Sequence, residues 1–254
     1  MATDPDLVAK AMADTSQYLF EIVPLGWMRR EAGVLAGATG LPLAMLNGIW
    51  AESRHPDAAT VAGMLEHLDA AALPYCMQLR PGTPEEIPDL ARARGMAQGE
   101  SIPLMVLDAP SQLPAARELE GLSVRILEPA EIGVHVRIAA EAFGLPEDIF
   151  SQLMRGELLA AEGLRCYVGS AGGEDVATGM GITIGPGVGI VNIATAAAHR
   201  GHGYGAAITA QVALDGMAAG ADWAWLQSSA SGYNVYERLG FRPLEHWECF
   251  VSGA

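Results

Sequence analysis

Arg200, Gly203 and Gly205 stand in an R-x-x-G-x-G spacing inside the segment Gly189 to Ala206, GIVNIATAAAHRGHGYGA. The segment passes from an apolar, β-branched run through a glycine-rich link into a helix-forming run, AITAQVALDGMAA. Strand, glycine turn and helix N-terminus together make an anion site. The first N–H groups of a helix lack intrahelical partners and carry the positive end of its dipole. Glycines let the backbone curl so that these groups converge on a phosphate, and Arg200 stands where a fixed positive charge joins them. Other readings compete for the same letters. A Rossmann turn in the register Gly201, Gly203, Ala206 should follow the first strand of a parallel βαβ unit, whereas short glycine-linked strands in hairpin style precede it here. Asp222 falls near the distance of the acidic ribose partner, yet it opens a strand rather than ending one. A Walker A loop requires Gly-Lys-Ser/Thr, and the one lysine of the chain is Lys10. A plain tight turn between strand and helix would use the glycines equally well.

Other reactive side chains are dispersed. His199 and His202 flank the loop, mostly neutral at pH 7 and without a third ligand for a metal. Cys76, Cys166 and Cys249 form no CxxC or CxxH spacing, which indicates reduced thiols rather than a zinc site or a disulfide framework. Trp223, Trp225 and Trp247 fall on expected strands and suit a sheet face; Trp27 and Trp50 are open to lining a cleft. The net charge is −15, spread as −8 over residues 1–120 (16 acidic, 8 basic) and −7 over 121–254 (14 acidic, 7 basic). Neither half suits nucleic acid or an anionic membrane surface, and the acidity mildly favours a cationic substrate. The acidic N-terminus MATDPDLVAK lacks a secretion signal and no apolar run spans a membrane, so a cytoplasmic protein is expected.

The elements that position these residues follow from local chemistry. Asp4 and Pro5 predict a helix over 4–20, and Pro56 and Asp57 another at HPDAATVAGMLEHLDAA. TPEEIPDLARARGM is a third, acidic in its first turn and closed by Gly. Strands are predicted at GWMRREAGVLAGATG, LPLAMLNGIWA, LPYCMQLRPG and ESIPLMVLDA. Prolines and polar residues at 109–121 read as a linker between a domain at 1–108 and one at 122–254. Beyond it come a strand at LSVRILEPAE, helices at about 129–143 and 147–159, and strands at LRCYVGSAG, EDVATGMGITIG and VGIVNIAT. A helix over 204–219, a strand DWAWLQSS, a short helix GYNVYERLG and a last strand FRPLEHWECFVS complete the chain. The two halves share this order of elements, as a degenerate repeat would. The N-terminal counterpart of the glycine turn, AESRHPDAAT, has no glycine, so a phosphate site belongs to the C-terminal half.

Two segments in order, Arg200 to Gly205 after VNIAT and Tyr236-Glu237-Arg238-Leu239-Gly240-Phe241, resemble the signatures of the GNAT superfamily of acyl-CoA-dependent N-acyltransferases. The resemblance covers about 122–251, with 1–108 similar to a decayed copy. It implies an α/β (α+β) protein of tandem GNAT-like domains, each a mixed, mostly antiparallel sheet flanked by helices. It implies acetyl-CoA as the donor, with the N–H groups of Gly201, His202, Gly203, Tyr204, Gly205 and Ala206 and the charge of Arg200 on the pyrophosphate. Backbone groups of Ile193, Ala194 and Thr195 would meet the pantetheine and the acyl carbonyl. Tyr236 would be the general acid that protonates the leaving thiolate, a reasonable donor for a phenol of pKa about 10.

The chain departs from the family pattern in two places. Ser229 stands where many members carry an asparagine for coenzyme A. Gly189 stands where a strand glutamate often serves as base, which leaves Glu141, on the first helix of the domain, as the candidate base. The expected reaction is direct acetyl transfer to a primary amine of a small molecule, without a covalent enzyme intermediate. The N-terminal half would shape the acceptor site or a homodimer contact. A non-catalytic acyl-CoA-binding regulatory module is the alternative, motivated by the same two departures.

Overall fold

The computed structural model describes residues 2–108 and 119–253. The expected linker at 109–121 therefore lies outside the described residues except for 119–121. Helix α1 (Pro5–Ile22) begins where the Asp4 carboxylate accepts the Asp6 N–H at 2.9 Å, with Pro5 in the first turn. Strands β1 (Trp27–Glu31), β2 (Val34–Ala38) and β3 (Asn47–Ala51) follow. Helix α2 (Ala58–Ala70) is capped by Asp57, which accepts the Thr60 N–H at 2.8 Å. Next come β4 (Cys76–Leu79), α3 (Glu86–Ala93), the short β5 (Ala97–Gln98) and β6 (Ile102–Leu107). After β7 (Leu122–Ile126), a 3-10 turn at Pro129–Glu131 leads into α4 (Ile132–Phe143), which ends at Gly144 in the left-handed conformation. The single helix expected over 147–159 is two, α5 (Glu147–Leu153) and α6 (Gly156–Leu159), because Met154 and Arg155 turn extended between them. Strands β8 (Leu164–Ala171), β9 (Glu174–Ile184) and β10 (Gly187–Thr195) precede α7 (Tyr204–Ala218). The chain continues through β11 (Trp223–Gln227), α8 (Tyr233–Arg238) and β12 (Arg242–Val251). Among the described residues no helix is long and apolar enough to cross a membrane.

The chain divides into two compact units. One combines Asp4–Leu104 with Pro243–Ala254. Its strands run in the order β1-β2-β3-β4-β12, antiparallel except for β3 on β4, with β5 also pairing β12. Ile49, Val61, Leu65, Met77 and Phe250 share its apolar core. A buried ion pair also holds the late strand in this unit. Arg80 donates to both carboxylate oxygens of Glu245 at 2.9 and 2.8 Å and to Asp6 at 2.6 Å, and the Trp247 indole N–H donates to Glu245 at 2.9 Å. Arg80 Nη1 also donates to Glu52 O at 2.8 Å, so each nitrogen of the buried guanidinium and both Glu245 oxygens are engaged, as burial requires.

The other unit contains Met105–Arg242 with the residues before Asp4. Its strands run β7-β8-β9-β10-β11, antiparallel except for β10 on β11. This is the mixed, mostly antiparallel sheet with flanking helices that was expected. Helix α7 packs on one face, close enough that a β-carbon at Gly216 would meet Val188 at 2.7 Å. Helix α4 covers the opposite face, where His135 meets Thr178. Two features of β10 matter for chemistry. Its parallel register with β11 covers only Gly187, Val188 and Gly189, after which the strands part. Its register with β9 slips between Val191 and Ala194, a bulge in which Asn192 takes φ 55°.

Candidate active site

The turn from β10 into α7 builds a groove of about 460 Å³, lined on one side by Thr195, Arg200, Gly201, Gly203, Tyr204, Gly205 and Ala206. Gly201 and Gly203 have φ of 83° and 85°, and Gly203 is the N-cap of α7. No side chain caps the helix. Among the described residues, the N–H groups of 201–206 find no hydrogen-bond acceptor. Donors converge there with nothing to receive them, and the helix dipole adds positive potential.

Arg200 serves the groove in two ways. Its Nε donates to Thr195 O at 3.3 Å and its Nη2 to Ala142 O at 3.1 Å, tying the loop to β10 and to the end of α4. Its Nη1 has no partner among the described residues. His202 points its Nδ1 at the carbonyls of His199 (3.1 Å) and Arg200 (3.0 Å), so that nitrogen carries the proton. Its ring stacks on Tyr204, pinning the loop rather than lining the groove. Arg238, Leu239 and Val235 of α8 line the other side together with His199. Arg238 brings a second cation that was quoted in the motif without a role.

The remaining predicted residues surround this groove without lining it. Tyr236 packs edge-on against Phe241, and its hydroxyl makes no hydrogen bond among the described residues. Burial raises its pKa, which keeps the phenol protonated and able to donate. Ser229 turns the chain into α8: its hydroxyl accepts the Gly232 N–H at 3.2 Å and shares a bond with Ser231 at 3.1 Å. Ala194 is buried, and the Ile193 side chain joins the core beneath α7. The Ala196 N–H donates to Val176 O at 2.9 Å, toward β9. Alternation along the strand turns the Thr195 and Ile193 N–H groups toward the open side, where β11 has departed. Glu141 lies on α4, where its Oε1 accepts the Ala197 N–H at 3.0 Å and braces the start of the loop; Oε2 has no partner among the described residues.

The position equivalent to a strand carboxylate is closed. At Gly189 a β-carbon would meet the Trp225 ring at 2.7 Å, and at Gly187 it would meet Trp223 at 2.5 Å. In the N-terminal unit, the loop after β3 has no glycine at 52–57 and borders a groove of about 490 Å³ that the carboxylates of Asp6 and Glu52 share with Arg54 and Arg80. Arg54 pairs there with Asp6 at 2.6 Å and with Glu245, so its charges are already matched.

Residues 162–243 match the family model described as an acetyltransferase (GNAT) domain. Among curated proteins none matches the chain. Solved structures are similar over nearly the whole chain. A GCN5-related N-acetyltransferase from Kribbella flavida superposes with TM-score 0.72 at 19% identity, covering 97% of this chain and 96% of its own. One from Sphaerobacter thermophilus gives 0.66 at 17% identity, covering 87% and 77%. A tandem GNAT protein from the clavulanic acid biosynthesis pathway gives 0.57 at 16% identity, covering 86% and 78%. At these identities the likeness establishes the fold.

Proposed function

We propose that the chain, whose residues 162–243 match the acetyltransferase (GNAT) domain model, is an N-acetyltransferase that moves an acetyl group from acetyl-CoA directly to the primary amine of a small molecule. The observation that carries this reading is the glycine cradle at the start of α7, whose N–H groups over 201–206 stand without acceptors beside two arginines. That donor set suits a pyrophosphate, with Arg200 Nη1 and Arg238 supplying fixed charge.

Acetyl-CoA supplies an activated carbonyl and a thiolate leaving group. Thr195 and Ile193 offer backbone donors along the open edge of β10 to the arm and the carbonyl oxygen. Tyr236 holds a phenolic proton for the sulfur. Glu141, braced by Ala197 but with one oxygen unengaged, is the carboxylate that draws the amine proton away through water.

Thermal-shift titration with coenzyme A, acetyl-CoA, ATP and NAD tests the donor site; absence of stabilisation by either coenzyme form ends the proposal. Thiol release over a panel of primary amines then tests transfer. The closed position at Gly189 favours one alternative, a non-catalytic acyl-CoA-binding module, which would show coenzyme binding without thiol release for any amine.

A further inference from the structure

On the sheet face opposite α7 lies a pair of polar side chains that the coenzyme groove leaves unused. His135 of α4 is 0% exposed. Its Nδ1 lies 2.8 Å from Thr178 Oγ1, and that hydroxyl donates its own proton to Tyr167 O at 2.8 Å. A hydroxyl has a single proton, so His135 must donate from Nδ1. Nε2 is then a bare lone pair, buried and without a partner among the described residues. Burial lowers the His135 pKa to about 4, so the ring is neutral at pH 7.

Asn192 is the second member. The β10 bulge places both Val191, opposite Met180, and Asn192 on the α4 side of the sheet. The Asn192 amide nitrogen has only thioether sulfurs near it, Met154 at 3.6 Å and Met180 at 3.8 Å, and its oxygen has no partner among the described residues. Thr178, which meets His135, and Met180, which meets Asn192, stand two positions apart on β9, about 7 Å along the strand, so the two polar groups address the same face. The surroundings are apolar: Phe150 of α5 packs on the His135 ring at 5.9 Å, beside the two methionines. No carboxylate contacts His135 or Asn192 among the described residues: Glu141 engages Ala197 through Oε1, and Glu141, Glu147, Asp148 and Glu157 are all exposed. Asn192 also stands three residues before Thr195 of the groove, about 10 Å along the strand.

Resting on the acetyltransferase reading, we infer that this face is the acceptor end of the site, and that it receives an uncharged primary amine on an apolar body. The amine N–H donates to His135 Nε2, and the Asn192 amide takes a second polar contact. At His135 an ammonium would shed its water beside a neutral ring and an amide rather than an anion, so a polycation is disfavoured.

The test uses the full-length protein labelled with ¹⁵N in histidine, with coenzyme A present to fill the groove. Long-range ¹H–¹⁵N spectra report Nε2 directly. His135→Asn assigns the signal, because it removes Nε2 and keeps a donor for Thr178. We expect 2-phenylethylamine to shift the His135 Nε2 resonance and spermidine at equal concentration to leave it in place. Asn192→Gly retains the left-handed backbone and removes the amide; it should raise KM for 2-phenylethylamine about tenfold, with KM for acetyl-CoA changed less than twofold. A shift with neither amine, with spermidine alone or with both equally, or an unchanged KM in Asn192→Gly, overturns the assignment. Stabilisation by coenzyme A is read separately, so loss of the donor site is distinguishable from failure of this inference.

Discussion

The Trp225 indole lies against the backbone of Gly189, where a β-carbon would meet Cζ2 at 2.7 Å and Cε2 at 2.9 Å. A carboxylate therefore has no room on this strand unless the ring moves. Gly189→Glu should destabilise the protein by about 1–3 kcal/mol through overpacking, without raising turnover. Trp225→Leu in the same chain should recover part of the loss. Urea midpoints of the single and double variants decide the matter.

Gly203 caps α7 at φ 85° and ψ 5°, a conformation that costs other residues about 1–2 kcal/mol. Gly203→Ala should weaken acetyl-CoA binding at least tenfold by calorimetry, since strain and the added methyl both act on the cradle. Gly203→Val should abolish it. Unchanged affinity in both would place the pyrophosphate elsewhere.

Tyr236→Phe removes only a hydroxyl that bonds to nothing else among the described residues. Stability should change little, because no protein partner is orphaned. The expected fall in kcat is about 10²-fold, within the range of a lost general acid, with KM for acetyl-CoA nearly constant. Steady-state kinetics showing unchanged kcat would remove the assigned role.

Glu141 has two separable functions. Glu141→Gln keeps an oxygen for the Ala197 N–H and removes the base, so it should lower kcat about tenfold and spare coenzyme binding. Glu141→Ala should also weaken coenzyme binding, because the loop loses its brace. Equal kinetics in the Gln variant and the parent protein would reduce Glu141 to the brace alone.

Acid should unfold this protein partly through His135. Burial holds its pKa at about 4, below the ordinary value of 6.5, so the unfolded chain takes up the proton first. The contribution is complete above pH 6.5 and is lost as pH falls from 6.5 to about 4, about 3 kcal/mol in all. Denaturation midpoints between pH 7 and 4 should fall less steeply in His135→Asn. Parallel slopes would contradict the buried neutral ring.

What could be read from the letters was what local chemistry decides. Asp4 caps the helix it was expected to cap, and Asp57, expected near the start of the next, proves to cap that one, because an N-cap bond spans only two or three residues. Gly203 marked its turn because few other residues tolerate its positive φ. The rest depended on distant partners. Trp225 was legible as a sheet-face residue, but its seat on Gly189 arises from strand pairing. Arg238 reaches the groove only because α8 folds beside α7. His135 looks, in sequence, like any histidine on an apolar helix face; its bare nitrogen follows from the proton that Thr178 gives to Tyr167. The break at Met154 and Arg155 was hidden because the 147–159 run has no regular apolar period to interrupt.

The strand β12 sets a schedule for synthesis. Residues 4–104 pair with residues 243–251 through β4, β5 and the Arg80–Glu245 ion pair, yet the ribosome must read all of 105–242 in between. At about 5–20 residues per second, roughly 7–30 s pass between Leu104 and Val251. Through that interval the nascent N-terminal segment presents β4 with one edge open and an Arg80 without Glu245. A gene cut at residue 108 would make that waiting state permanent.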